Sequence, residues 1–313
     1  MQLVSNKKHE KKSYAMLPVA VAADAAYLMP LATTLRSIAD NNEQSWPLQF
    51  FVLNDGIDCD ARKQIESSLP DGAAVFQWID IDLKPFQSFK TLPRISKMTF
   101  ARLVLPFVLP IHIETIIYLD IDVLVLGSLT ELSSVLLNDA PFAAVKDPLD
   151  LCIHDPSARN AGVPMVNKYF NAGMLLIQPF QWRKKYISER AIDYLTNYPQ
   201  TPFADQDALN VAADGAWLEL SNVWNFQGHR TTDIQKWQTL LKPHVIHFVT
   251  EQKPWKPQFP SAYAQLYDLY RGRTKFARKP SAIFADVVIG YICRMIKILR
   301  NSLSITRLCA SFK

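Results

Sequence analysis

Residues 116–127 read IIYLDIDVLVLG. Aliphatic and β-branched residues run here without polar alternation, which predicts a strand over 115–126 covered on both faces. Two aspartates, Asp120 and Asp122, interrupt that run. A carboxylate in apolar surroundings needs a partner. Side chains at i and i+2 of an extended segment point the same way. Both carboxylates can therefore reach one hard divalent cation, Mg²⁺ or Mn²⁺. Open α/β sheets bind ligands at the carboxyl ends of their strands, where such a pair would stand.

The chain holds three other Asp-x-Asp triplets, so the pattern alone decides nothing. Asp58/Asp60 opens a polar helical stretch and suits capping. Asp80/Asp82 closes the strand-like WIDID and suits a solvated end. Asp205/Asp207 stands at the start of a helical stretch near Gln206, where Asp205 suits an N-cap. Asp120/Asp122 alone is embedded in an apolar run.

Outward from that run, strands and helices alternate. Strands are expected over 17–23, 48–53 and 74–79, and helices over 27–38, 58–69 and 100–109, with Asp58 as an N-cap. Alternation of this kind predicts an α/β fold with a mostly parallel central sheet. Farther on, helices are expected over 182–198 and 206–213. Extended segments are expected over 217–226 and 245–249. The N-terminal lysine cluster, apolar run and small residues mimic a secretory leader, but the run is short and contains Pro18, which favours a buried first strand.

Composition narrows the class. Hydrophobic residues make up 49% of the 313 and charged residues 20%, which supports a sizeable core and excludes a disordered chain. Four cysteines form no CxxC or Cys/His cluster, so a zinc finger or disulfide framework is not expected. Walker A, GxGxxG and GxSxG motifs are all absent.

Charge is unevenly spread. Residues 271–313 carry ten Lys/Arg against Asp286, a balance of +9, so the first 270 residues carry 5 − 9 = −4. Phe284, Val287, Val288, Tyr291, Ile292, Met295 and Leu299 fall at helical spacing, punctuated by Arg294, Lys297 and Arg300. A basic amphipathic helical tail of this kind suits an anionic membrane surface. Nucleic acid is not expected, because the apolar face would have no role on a duplex. The organisation predicted is a catalytic domain over 1–270 and a membrane-associating tail over 271–313.

A metal held by few protein ligands leaves room for phosphate oxygens. His247, on the apolar HVIHFV, Lys253, stiffened by Pro254 and Trp255, and Arg102 in TFARLVLP could complete a diphosphate site. By itself His247 also suits a satisfied core residue, and Arg102 a surface ion pair.

Four blocks then carry a resemblance: VAADAAYLMPLATTLRSI, TFARLVLP with YLDIDVLVLGSLTEL, YFNAGMLLIQPFQWR with ADQDALN, and HVIHFVTEQKPW. In order and spacing they resemble the family 8 glycosyltransferases, retaining enzymes that use a nucleotide-diphosphate sugar. The likeness is to the bacterial galactosyl- and glucosyltransferases that build lipopolysaccharide. It implies a Rossmann-like GT-A fold, a UDP-sugar donor and a saccharide or lipid-linked oligosaccharide acceptor. It implies that Asp120, Asp122 and His247 ligate Mn²⁺, and that Ala22 and Asp24 contact the uracil. Asp120 would also lie near the ribose or sugar. Arg102, Asp147, Asn171, Ala172, Asp205 and Gln206 would line the donor-sugar pocket, with Asp205 and Gln206 the groups nearest the reacting carbon. Lys253 would bind the diphosphate, and residues 149–168 the acceptor. Thr250 stands where the family usually has Gly in H-x-x-G-x-x-K-P-W. That departure supports the alternative of a catalytically weak nucleotide-sugar-binding protein at a membrane. A metal-dependent phosphohydrolase would need a general base near Asp120, and none stands out. The expected location is the inner face of the cytoplasmic membrane.

Overall fold

The computed structural model describes residues 18–91, 96–148, 165–227, 242–251, 253–256, 262–285, 288–289, 291–292 and 295–296. Residues 18–24 of the first apolar run form strand β1 (Pro18–Asp24), whose alternate residues face different cores. Ala20 and Ala22 join one apolar cluster; Val19, Val21 and Ala23 join the other. A strand buried on both faces explains the lack of polar alternation in its sequence. Helix α1 (Leu28–Asp40) packs Leu31, Leu35 and Ile38 onto the second face.

Strand β2 (Leu48–Asp55), helix α2 (Cys59–Glu66) and strand β3 (Ala74–Asp80) follow. Asp58 caps α2, its carboxylate accepting from the Ala61 amide at 2.8 Å. Helix α3 (Ala101–Val108) leads into strand β4 (Ile116–Leu119). β1, β2, β3 and β4 are parallel, with β1 between β2 and β4. The strand order thus reverses direction at β1/β4, the switch point where open α/β sheets bind ligands.

The single strand expected over 115–126 is two. After β4 the chain turns at Asp120–Asp122, and β5 (Val123–Val125) leaves for a separate two-stranded sheet. The Thr34 hydroxyl of α1 fixes this turn, lying 2.8 and 2.9 Å from the Ile121 and Val123 carbonyls. Short helix α4 (Thr130–Ser133) connects to strand β6 (Phe142–Lys146), and strand β7 (Phe170–Ile177) follows. β7 runs antiparallel to both β4 and β6. Its reversed direction brings its first residues, rather than its last, to the ligand-binding edge.

The helix expected over 182–198 is also two, α5 (Pro179–Lys184) and α6 (Ile187–Asn197). They are separated at Tyr186, whose φ of 54° a right-handed helix cannot contain. Helix α7 (Asp205–Ala213) and strand β8 (Leu218–Leu220) complete the seven-stranded sheet, ordered β3-β2-β1-β4-β7-β6-β8. Strand β9 (Val245–His247) pairs antiparallel with β5, setting His247 opposite Val123.

Helix α8 (Ala262–Arg271) covers this small sheet, with Tyr267 and Tyr270 packed on Leu124, Ile246 and Phe248. The chain stays attached to the body beyond 271. Arg273 pairs with Asp40 at 2.7 Å, the Lys275 amide donates to Ser68, and Phe276 packs against the second core. Residues 280–285, 288–289, 291–292 and 295–296 are helical.

Candidate active site

One cleft opens at the β1/β4 edge, and all twelve site residues named from the sequence line it. Ala22 and Asp24 come from the end of β1. Asp24 accepts from the Ala26 amide at 3.0 Å and the Ser96 hydroxyl at 2.8 Å. Asp120 and Asp122 come from the turn after β4. Asn171 and Ala172 come from the start of β7, Asp147 from the end of β6, and Asp205 and Gln206 from the first turn of α7. His247 and Lys253 close the cleft from the β9 side. Residues 149–164, most of the expected acceptor segment, lie outside the described residues.

Arg102 ties Asp120 and Asp205 together. It is buried, not a surface ion pair, and its ring-stacked guanidinium lies 4.9 Å from the Tyr118 ring centre. Nη2 donates to Asp120 Oδ1 at 2.8 Å, Nε lies 2.9 Å from Asp205 Oδ2, and Nη1 donates to the Ala172 carbonyl. Burial alone would lower the guanidinium pKa, but Asp120 and Asp205 hold it well above its usual value. Asp205 is likewise buried and does not cap α7; its carboxylate meets Arg102 and the Thr99 hydroxyl instead. Burial pushes its pKa up to about 6, against the pull of Arg102 and Thr99.

Asp120, Asp122 and His247 each present a ligand atom within 4.8 Å of the others. His247 Nε2 lies 3.1 Å from Asp122 Oδ1 and 3.9 Å from Asp120 Oδ2. Carboxylates only accept, so Nε2 meets Asp122 Oδ1 either as an N–H donor or across a bound cation. Two carboxylate oxygens and one imidazole nitrogen suit Mn²⁺ or Mg²⁺. Asp122 Oδ2 also accepts from Lys253 Nζ at 2.5 Å. Burial would raise the Asp122 pKa, but Lys253 and His247 together hold it far below the usual carboxylate range.

A family model described as glycosyl transferase family 8 matches residues 18–258. The chain belongs to this family. It is 26% identical to General stress protein A of Bacillus subtilis (strain 168), over 83% of this chain and 95% of that protein. It is 26% identical to glycosyltransferase GlyF of Streptococcus pneumoniae serotype 4, over 81% of this chain but 61% of the relative. The solved galactosyltransferase LgtC, in complex with donor and acceptor sugar analogs, superposes with a TM-score of 0.72 at 26% identity. That match covers 86% of this chain and 100% of LgtC. The architecture is therefore the GT-A fold of a family 8 glycosyltransferase.

Two residues at and behind the cleft, Gly173 and Asp207, take roles that the sequence did not assign them. Gly173 follows Asn171–Ala172 and approaches His247 so closely that a side chain would collide with it. A glycine inside the strand sequence FNAGMLLI is the signal that marks close approach. Asp207 is fully buried and turned away from the cleft, accepting from Tyr169 at 2.5 Å, Thr201 at 2.5 Å and the Phe203 amide at 2.8 Å. Gln206 Nε2 in turn donates to the Tyr169 oxygen at 3.2 Å, and its Oε1 accepts from the Ala172 amide at 3.1 Å.

Proposed function

We propose that the chain transfers a hexose, galactose or glucose, from a UDP-sugar to a saccharide acceptor with retention at the anomeric carbon. The observation that carries this reading is the Asp120/Asp122/His247 cluster facing Arg102, Asp205 and Gln206 across one cleft in a family 8 chain. LgtC, whose fold this chain shares, is named a galactosyltransferase and binds donor and acceptor sugar analogs in one structure.

Asp120, Asp122 and His247 would hold Mn²⁺ or Mg²⁺. A bound divalent ion supplies charge neutralisation for the departing diphosphate. Lys253, its ammonium held by Asp122 and the Phe248 carbonyl, donates to phosphate oxygens from the cleft rim. Ala22 and Asp24 meet the base at the end of β1. Arg102 holds Asp120 and Asp205 in place at the sugar pocket, so carboxylates face the sugar where positive charge develops. Gln206 is a poor nucleophile, so same-face attack by the acceptor fits better, with Gln206 and Asp205 beside the reacting carbon. Asn171, Ala172 and Asp147 complete the wall of the sugar pocket.

The acceptor proposed is lipopolysaccharide or lipooligosaccharide core, or another lipid-linked glycan, reached at the inner face of the cytoplasmic membrane. Among the described residues no helix is long and apolar enough to cross a membrane. The tail instead presents exposed apolar side chains, Phe284 at 71% and Tyr291 at 72% exposure, beside its excess of basic residues. Such a segment lies in an interface and is drawn to anionic lipid. Removing residues 280–313 spares the docked stretch through Phe276, and is expected to release the protein from anionic vesicles while donor hydrolysis continues. Unchanged vesicle binding in a flotation assay would rule out this role.

The test of the activity is UDP release from a panel of UDP-sugars, with Mn²⁺ and with EDTA. Release from one or two UDP-hexoses that stops with EDTA is expected. UDP binding without release from any donor would shift weight to the binding-protein reading, and Thr250→Gly would then be the next protein to assay.

A further inference from the structure

A hydrogen-bond relay behind the cleft runs from a main-chain amide to the imidazole of His247. It begins at the Gly173 N–H, which lies 3.0 Å from one side-chain terminal atom of Asn171. A backbone N–H only donates, so that atom is the oxygen, Oδ1. The other terminal atom of Asn171 is then Nδ2, and it faces Asp147 Oδ2 at 3.0 Å and Gln206 Oε1 at 3.1 Å. A carboxylate oxygen fits that assignment independently, because it only accepts. The side chain of Asn225 approaches Asn171 Oδ1 at 2.8 Å. Its approaching atom must be a donor, Nδ2. The remaining Asn225 atom is Oδ1, which stands 2.9 Å from His247 Nδ1. Asn171, Asn225 and His247 are all buried, and these polarities are set by one another.

We infer that Asn225, set by Asn171, is a positioning residue that fixes His247 as its Nδ1–H tautomer and so leaves the Nε2 lone pair toward Asp120 and Asp122. The inference rests on the metal-site reading of that cluster. Its chemistry is general: a ligating imidazole donates its other N–H to a fixed acceptor, and removing that acceptor weakens metal binding about 10–100-fold. Asn171 acquires a second role here. Its four hydrogen-bonding capacities are all used inside the protein, by Gly173, Asn225, Asp147 and Gln206. It sets the orientation of two neighbours on opposite sides of the cleft, His247 through Asn225 and Gln206 directly.

The experiment pairs two readouts on the full chain without nucleotide. Two-bond ¹H–¹⁵N correlation spectra of protein in excess Mg²⁺, a diamagnetic stand-in for Mn²⁺, report which ring nitrogen of His247 carries the proton; the His247→Gln protein identifies its signals by their loss. Mn²⁺ titration by calorimetry reports affinity. Wild type is expected to show protonated Nδ1 and unprotonated Nε2. Asn225→Leu is expected to lose that preference and bind Mn²⁺ about 10–100-fold more weakly. Asn225→Asp retains an acceptor for Nδ1–H but faces Asn171 Oδ1 with a second acceptor. It is therefore expected to melt at lower temperature yet keep the tautomer and hold Mn²⁺ within about threefold of wild type. A merely structural role would instead make affinity follow melting temperature across the two variants. Asn225→Ala carries the same expectation as leucine if the leucine protein does not fold. Protonated Nε2 in wild type, or wild-type Mn²⁺ affinity in both Asn225→Leu and Asn225→Ala, would overturn the inference. Absence of Mn²⁺ binding by wild type with the Nδ1–H tautomer intact would instead count against the metal reading alone.

Discussion

Asp122→Asn is expected to lower metal-dependent donor turnover roughly 10³-fold while leaving the protein folded. Asp122 is the better of the two aspartates to change because of what each one holds. Asp120 also accepts from Arg102 and from the Tyr118 hydroxyl, so its loss would strand a buried guanidinium. Asp122 instead meets His247 Nε2 at 3.1 Å and Lys253 Nζ at 2.5 Å, both at the cleft wall. An amide keeps the shape and one oxygen, but it removes the negative charge that draws a divalent ion. It also turns an NH₂ group toward either Lys253 or His247.

The Asp122 pKa fixes the sign of the accompanying stability change. Lys253 and His247 overcome burial and hold this carboxyl far below its ordinary value. A depressed folded-state pKa contributes stability that is present above about pH 4 and is lost as pH falls through the folded value. At neutral pH the substitution therefore removes a stabilising charge, and a modest drop in melting temperature is expected even without metal. The diagnostic difference is the response to Mn²⁺. Ligand binding to the native state raises the melting temperature of wild type, and Asp122→Asn should show almost no rise at the same Mn²⁺ concentration. Turnover within tenfold of wild type, with Mn²⁺ dependence intact, would remove Asp122 from the metal site.

The parts of this fold that were legible in the sequence are those whose burial is local. β1, β2 and β4 are apolar on both faces because both faces are covered, and their residues alternate between two cores. What was not legible depended on distant segments. Nothing in IIYLDIDVLVLG marks the turn at Asp120–Asp122, because the residues on either side stay apolar. The turn exists because β5 pairs with β9, more than a hundred residues later, and because Thr34 of α1 meets the carbonyls of Ile121 and Val123. The break at Tyr186 is hidden for a similar reason: the apolar periodicity continues across it, with no glycine to announce a positive φ.

At the cleft, residue type and position diverged in the same way. Asp120 and Asp205 were found as carboxylates, but their joint tether to Arg102 follows from the tertiary fold, which brings Arg102 of α3 within reach of both. Asp207 was grouped with Asp205 by spacing. In a helix, however, residues two apart lie about 200° around the axis. Asp205 therefore faces Arg102 while Asp207 turns inward to Tyr169 and Thr201. Asn225 carried no signal at all, since its function depends only on which two side chains it lies between.

Gly173→Ala is expected to abolish measurable Mn²⁺ binding and to reduce turnover by at least about 10²-fold, with a stability loss of about 1–3 kcal/mol from overpacking. A Cβ at this position would lie 2.1 Å from His247 Cε1, 2.7 Å from His247 Nδ1 and 2.9 Å from Asp120 Oδ2. None of these neighbours can yield easily. His247 is fixed by strand β9 on one side and Asn225 on the other, and Asp120 is held by Arg102 and Tyr118. The glycine cannot retreat either, because β7 is buried along its whole length and pairs with strands on both sides. The added methyl must therefore push His247 and Asp120 off their present positions, and a metal site loses affinity when its ligands are displaced by even a fraction of an ångström. Gly127→Ala separates this effect from a general packing fault. Its Cβ would lie 2.6 Å from His244 Nδ1, a milder clash, still under 3.0 Å, that touches none of the three candidate ligands. Gly127→Ala should thus melt earlier than wild type while retaining Mn²⁺ affinity; Gly173→Ala should lose both. Equal Mn²⁺ affinity in the two proteins would mean that His247 and Asp120 are not held as a preorganised pair.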